Sequence, residues 1–599
     1  MNNIGLLMML SLVLLALAYR FYGRFVARYL GIEPARTTPA HTINDGVDYV
    51  PTKPLVLFRH HFASIAAAGP IIGPTLAVFY GYLPCWLWLV LGVALIGAVH
   101  DFTALFVSVR QGGKSVAEVA RVSLGKLGFV LYVLFATLLC ILLAAAFLGI
   151  AADALTSHYS LSDLGLAANQ THFRTIEFKG ATHALTGGIA TTSVIVITLG
   201  APLMGWLLYR RGLSAWKGSV VAATICLLSF VVGFIWPVTL DPTSRTVVQG
   251  ILAVLCAYCF LAAWVPVWIV LQPRDFVNVH VLYAGLAAMV LGLIGCGLHG
   301  VTVSAPAWHI NQDSVKALGM AWPFLFVTIA CGACSGAHGL ICGGTTCKQL
   351  DNERHAAAIG YGGMLMESLL GICVVLMIIG PLGFAQYHNI VWPASGSGSA
   401  VRGFALSVGA TLEKGLSLPR EYGTIFGIVL LEGFVLTTTD TVLRLLRYLF
   451  EELWAVLLSS PPALLRSRMF NALLAIGLTA ALAFTNGYTI IWPVFGAANQ
   501  LLAALTLIAA AAWLVHRAKR AWVVALPAAF MAATTIASLL QLLPRYSARP
   551  KLSERIPLLA TDFLLLALAF GVVVLAFWQV RRVVVHRHRH APEAAAGAG

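Results

Sequence analysis

A few polar side chains stand where an apolar sequence has little use for them. His100 and Asp101 lie in LPCWLWLVLGVALIGAVHDFTALFVSVR, about nine residues, or roughly 13 Å of helix, before its basic end at Arg110. Glu367 falls inside the apolar run that begins IGYGGMLMESLLG, and Glu432 inside EYGTIFGIVLLEGFVLTTTDTVLRLLRYLFEEL. An ionisable group within such a run is costly and is kept where it meets a charge, a solute or a proton. A carboxyl beside an imidazole is suited to binding and releasing a proton. His100, Asp101, Glu367 and Glu432 are therefore the candidate proton-coupling residues, with His100 or His338 as relay. The alternative for Asp101 is a fixed partnership with a buried Arg, His or opened backbone. Asp440 precedes Arg444 by four residues, and an i,i+4 ion pair at the cytoplasmic interface is enough to explain it.

Other positions could hold a solute. Ser64 leads into Gly69-Pro70 and Gly73-Pro74. Proline removes a backbone donor and glycine weakens a helix, so the doubled pair predicts a broken span over 69–74. Opened backbone at membrane depth survives when it is buried in protein or lines a cavity. The N-terminus of a half-helix presents N–H groups and a positive dipole, which suits a carboxylate. WPFLFVTIACGACSGAHGLICGGTTCKQL is a second small-residue span, with Ser335, His338, Thr345 and Thr346 as candidate contacts. Cys331, Cys334, His338 and Cys342 have plausible zinc-ligand types. The apolar setting and the lack of a second ligand pair favour close packing of small residues, and no metal is expected. Asn499 and Gln500 follow Trp492-Pro493 in a third marked span. Buried amides need partners, either a neighbouring helix or the solute.

The elements that carry these residues are read from composition. Of 599 residues, 59% are hydrophobic and 10% charged, with a mean hydropathy of +0.87. That excludes a soluble globular protein. About 15 stretches reach spanning length, two of them at 321–343 and 469–486, and 401–420 reads as a partial span. An extracellular N-terminus and cytoplasmic C-terminus place most of the 38 Lys and Arg, Arg274 among them, in cytoplasmic loops, as the positive-inside rule requires. The formal charge of +15 is then topology and lipid contact, with no nucleic-acid partner implied. The first span lacks a basic leader and cleavage site and reads as a retained helix. The 11 cysteines lie almost wholly in apolar spans and form no disulfide framework. Residues 111–126, with Val116, Val119, Ala120 and Leu124 at helical spacing, read as an amphipathic interfacial helix, whereas 156–185, with His158, His172 and His183, reads as a polar external loop.

The chain contains no Walker A sequence, no Rossmann glycine fingerprint and no HExxH. No loop is long enough for a nucleotide domain, so secondary transport, without a cofactor and with the proton as coupling ion, is the expectation; an enzyme is not. HFASIAAAGPIIGPTLA, GAVHDFTALFVSVRQGGKS, FVNVHVLYAGL, SGAHGLICGGTTCKQL, IGYGGMLMES, DTVLRLLRYLFEEL and IWPVFGAANQLLAAL together resemble the carbon starvation protein A (CstA) family. The resemblance runs from about 58 to 505, a specific signal because seven segments occur in order. It implies an all-α polytopic protein of the bacterial inner membrane, with an inverted-repeat core like that of the amino acid–polyamine–organocation superfamily and several broken helices. It further implies uptake of pyruvate or short peptides during carbon starvation. Around 338–347 this chain has Cys342, Gly343, Gly344 and Cys347 where the family has serines and small residues. A non-transporting membrane sensor is the remaining alternative. The divisions expected are 1–57, an N-terminal helix and connector; 58–515, the transporter core; 516–580, C-terminal helices; and 581–599, a basic disordered tail.

Overall fold

The computed structural model describes residues 2–596 other than 47, 171, 179, 240, 242–243, 266–268, 394–397 and 486–487. Among them, twelve helices are long and apolar enough to cross a membrane, and the bent pair Pro54–Ile65 with Gly69–Tyr80 makes a thirteenth span. The chain is an all-α polytopic membrane protein. Two of the expected stretches are not helices of spanning length. The 321–343 stretch is divided into Ala321–Thr328, Ala330–Ala333 and Gly336–Ile341, because its glycines and extended Cys334 and Ser335 interrupt the ladder. The 469–486 stretch gives only the shorter apolar helix Arg468–Phe484. At 401–420 the structure has the helix Ala400–Leu416.

Burial separates inner helices from outer ones. In Glu353–Leu382, 94% of the most apolar window is buried inside the protein, against 28% in Trp216–Ile235 and 33% in Arg555–Trp578. The outer helices leave leucines, phenylalanines and tryptophans for lipid, as Leu227, Trp236, Phe570 and Phe577 show. At the centre, Val116–Leu155 packs on both Arg420–Leu457 and Tyr488–His516. The amphipathic segment after Ser115 is helical and is set off from its own span by Gly125, whose φ of +85° bends the chain. The last helix, Leu552–Ala596, includes 581–596 of the basic tail.

The 156–185 region is more ordered than a loop. Tyr159–Ser160, Thr175–Phe178 and Ala181–Ala184 form a three-stranded antiparallel sheet in the order first, third, second. Gly180, at φ +76°, supplies the left-handed position of the tight turn. The sheet brings His158 and His183 together, Nδ1 to Nδ1 at 3.0 Å. They line a cavity of about 440 Å³ with Asp163, Phe178, Asn389 and Arg402.

Candidate functional site

Two interrupted segments cross at the centre of the protein. The first break lies at Ala66–Ala68, where Pro54–Ile65 and Gly69–Tyr80 meet at 48°. It therefore precedes both Gly-Pro pairs instead of spanning 69–74. Pro70 sits in the first turn of the new half-helix, where a missing N–H costs nothing. Pro74 lies inside the helix, which the buried surroundings tolerate. Among the described residues, the N–H groups of Ala67, Ala68 and Gly69 form no backbone hydrogen bond, while those of Ile71 and Ile72 both go to the Ala68 carbonyl. Ala67 and Ala68 are buried. Buried N–H groups without partners are rare and mark a place where an acceptor can bind.

The second break, at Cys334–Ser335, lies against the first. A Cβ on Gly69 would fall 2.1 Å from Cys331 Cβ, and one on Gly332 would fall 3.0 Å from Pro70 Cα. Gly73 would meet the Thr328 carbonyl at 2.5 Å. These glycines are there because the two backbones touch. Asn499 caps the second half-helix from a neighbouring helix. Its Oδ1 accepts from the Ala337 N–H at 3.0 Å and its Nδ2 donates to Ser335 Oγ at 3.1 Å. Gln500, next in sequence, faces another helix: its Oε1 accepts from Thr535 Oγ1 at 3.4 Å and its Nε2 lies 3.6 Å from Met531 Sδ.

Around the breaks lies a buried ionic group. Asp101 Oδ1 accepts from His100 Nδ1 at 2.7 Å, and its Oδ2 accepts from His338 Nδ1 at 2.8 Å. His338 Nε2 then stands 3.0 Å from Glu367 Oε2, yet neither atom makes a hydrogen bond. The Nδ1 proton of His338 is committed to Asp101, so a neutral ring offers a lone pair at Nε2. Two acceptors at that separation repel unless a cation lies between them. Cys331 Sγ is 3.9 Å from the other Glu367 oxygen, Oε1, and 3.7 Å from Ser335 Oγ.

His61, which drew no notice in the sequence, joins the periphery: its Nδ1 bonds Thr346 Oγ1 at 2.9 Å. Its Nε2 and that of His100 are buried without partners. The signal was present, since His61 is another imidazole in an apolar run. Thr345 and Ser64 are occupied by their own helices, donating to the carbonyls of Ile341 at 3.1 Å and His60 at 2.8 Å.

Glu432 does not join this group. It lines a separate small cavity with Arg274, Asn278 and Val281, and neither of its oxygens is hydrogen-bonded. The i,i+4 pairing read for Asp440 is also replaced. Asp440 Oδ2 accepts from Arg274 Nη1 at 2.6 Å and from the Tyr258 hydroxyl at 2.9 Å. Arg444 instead donates to the carbonyls of Ala262 and Val265. Arg274, placed in a cytoplasmic loop by its charge, is 1% exposed because a fully buried acid across the bundle compensates it. Of three consecutive threonines, Thr437 and Thr439 donate to the carbonyls of Gly433 and Val435 in their own helix, and Thr438 Oγ1 is buried without a hydrogen bond.

Of the four cysteine and histidine positions weighed for zinc, the structure unites only Cys331 and His338, and adds Glu367; the three ligand atoms lie within 4.8 Å of one another. Cys342 Sγ is turned to the Asp101 carbonyl at 3.5 Å.

The sequence model of the carbon starvation protein CstA family matches residues 3–401 and 393–538. The peptide transporter CstA of Escherichia coli K12 is 32% identical to this chain, over 88% of it and 79% of its own length. The pyruvate/proton symporter BtsT of the same organism is 30% identical, over 86% and 78%. The peptide transporter CstA of Bacillus subtilis is also 30% identical, over 83% of each chain. A mutant manganese transporter of Eremococcus coleocola aligns with 90% of the chain and 99% of its own at 14% identity and a TM-score of 0.36, too weak a likeness to bear on the fold. With its sequence model matched over residues 3–401 and 393–538 and a relative 32% identical over 88% of the chain, the chain belongs to the carbon starvation protein CstA family.

Proposed function

We propose that this chain is a secondary transporter that takes up a small carboxylate, with pyruvate the first candidate, together with a proton. The observation that carries this reading is the buried pair His338 Nε2 and Glu367 Oε2, 3.0 Å apart and neither hydrogen-bonded, where one proton can be taken up or released. Asp101 fixes His338 in the tautomer that faces Glu367. The solute carboxylate takes the orphan N–H groups of Ala67, Ala68 and Gly69, beside Cys331 and Ser335, and so lies against the protonated pair. Charge neutralisation links the two: an anion at the break favours the proton on His338–Glu367, and the proton favours the anion. Asn499 positions the second break, and Glu432 is a second protonatable position in a separate cavity. The protein is proposed to lie in a bacterial inner membrane with its N-terminus periplasmic and its C-terminus cytoplasmic, and to serve the response to carbon starvation.

Short peptides are the second reading, favoured by the names of several relatives; a peptide C-terminus offers the same carboxylate. Purified protein in liposomes, given labelled pyruvate with and without an inward proton gradient, separates the two. Accumulation that requires the gradient and resists competing di- and tripeptides supports pyruvate symport. Uptake of labelled dipeptide but not pyruvate moves the assignment to peptides.

A further inference from the structure

We infer that Cys331, His338 and Glu367 form a binding site for one divalent transition-metal cation of the zinc class, where the two broken segments cross. Around a tetrahedral zinc ion, bonds of about 2.0 to 2.3 Å place donor atoms roughly 3 to 4 Å apart. The three ligand atoms lie within 4.8 Å of one another with no ion present. His338 Nε2 to Glu367 Oε2 is 3.0 Å, and Cys331 Sγ to Glu367 Oε1 is 3.9 Å. Thiolate, imidazole and carboxylate are the donor types that select zinc or cobalt over magnesium or calcium.

Two further observations point to an ion. His338 Nε2 and Glu367 Oε2 are buried polar atoms 3.0 Å apart, and neither makes a hydrogen bond. The opposite ring nitrogen of His338 donates to Asp101 Oδ2 at 2.8 Å. That carboxylate–histidine arrangement orients a metal-ligating imidazole and raises its basicity. Cys331 itself is buried, against Gly69 on the facing half-helix.

Binding is a proton exchange. The S–H bond of Cys331 is lost as the sulfur–metal bond forms, and any proton on Glu367 leaves with it, both to solvent. His338 contributes its Nε2 lone pair and keeps its Nδ1 proton on Asp101. The metal site stands without the transport reading. Its consequence rests on that reading: metal and coupling proton share His338 and Glu367, so the ion blocks uptake.

The test is a titration of the purified full-length protein with cobalt(II), followed by the near-ultraviolet thiolate-to-cobalt charge-transfer band. The proposal expects a band that saturates and that excess zinc removes. Cys331→Ser abolishes it, Glu367→Gln weakens binding roughly tenfold or more, and Asp101→Asn, which leaves all three ligands, weakens it about 10- to 100-fold. Cys334→Ser and Cys342→Ser keep the band and show that the fold survives loss of a neighbouring thiol. His586, His588 and His590 near the C-terminus bind cobalt through nitrogen alone and give no such band. Absence of the band in the wild type, its persistence in Cys331→Ser, or its equal loss in Cys334→Ser overturns the proposal. Proton-driven uptake without a cobalt band would discard the metal and leave the transport reading intact.

Discussion

Two buried ionic groups sit in this membrane protein, and they are built differently. At Arg274, Asp440 and Tyr258, opposite charges meet directly, with Arg274 to Asp440 at 2.6 Å. Cation, anion and hydroxyl form a closed set that joins Leu271–Leu298, Arg420–Leu457 and Arg245–Trp264. At Asp101, two imidazoles satisfy one carboxylate, but the chain of contacts ends on His338 Nε2 and Glu367 Oε2, 3.0 Å apart and without a hydrogen bond. The closed group is charge-compensated, although Arg274 Nε and Asp440 Oδ1 are left without hydrogen bonds, whereas the open one brings an imidazole nitrogen and a carboxylate oxygen together with no cation between them. Helices are held together by the first kind of site and a transport cycle can act through the second.

The largest stability effect is expected where the closed group is cut. Asp440→Leu leaves Arg274 buried and uncompensated and should cost about 3–5 kcal/mol, read as a lower unfolding temperature in detergent. Arg274→Met combined with Asp440→Leu should recover most of that loss and retain uptake. A double variant that folds but cannot transport would place the closed group in the transport machinery and erase the contrast.

Next is the seam between the breaks. Gly69→Ala sets a Cβ 2.1 Å from Cys331 Cβ, so about 1–3 kcal/mol of overpacking is expected together with loss of uptake. Gly250→Ala, where nothing lies within 4 Å of the added carbon, is the control on an outer helix. Equal behaviour of the two would contradict the contact between the broken segments.

Glu432→Gln should change proton-driven uptake by no more than about twofold, because a neutral side chain of the same shape suits a cavity without a cation partner bonded to the acid. Loss of coupling in that variant would make Glu432 a second coupling site.

The smallest effect lies outside the membrane. Burial, His183 and Arg402 lower the pKa of His158 from 6.5 to about 4, so the folded protein holds this ring neutral. The unfolded chain takes up the proton first as pH falls below 6.5, so the stabilisation present above that value is lost between 6.5 and about 4. Protection of the amides of 175–178 and 181–184, relative to the intrinsic exchange rate at each pH, should fall across that window, and His158→Phe should flatten the response. An unchanged slope in the variant would assign the effect elsewhere.

Much of this was readable from residue types. Proline and glycine announced both interruptions, and His100, Asp101, His338 and Glu367 were conspicuous because charge in an apolar run is expensive. What sequence could not supply was the pairing across distance. Arg274 and Asp440 are 166 positions apart, and a charge count assigns Arg274 to a loop because it cannot see the acid. The first break lies at Ala66–Ala68 because proline starts a helix more easily than it interrupts one, and three alanines carry no sign of that. Asn499 stood out as a buried amide, but its service to the Ala337 N–H depends on helix contacts that spacing does not encode.

The central claim is that His338 and Glu367 carry the coupling proton. Its most direct test uses Glu367→Gln in proteoliposomes, comparing gradient-driven accumulation of labelled pyruvate with exchange of internal for external pyruvate. The account predicts that accumulation disappears while exchange continues. Accumulation at the wild-type level would contradict it.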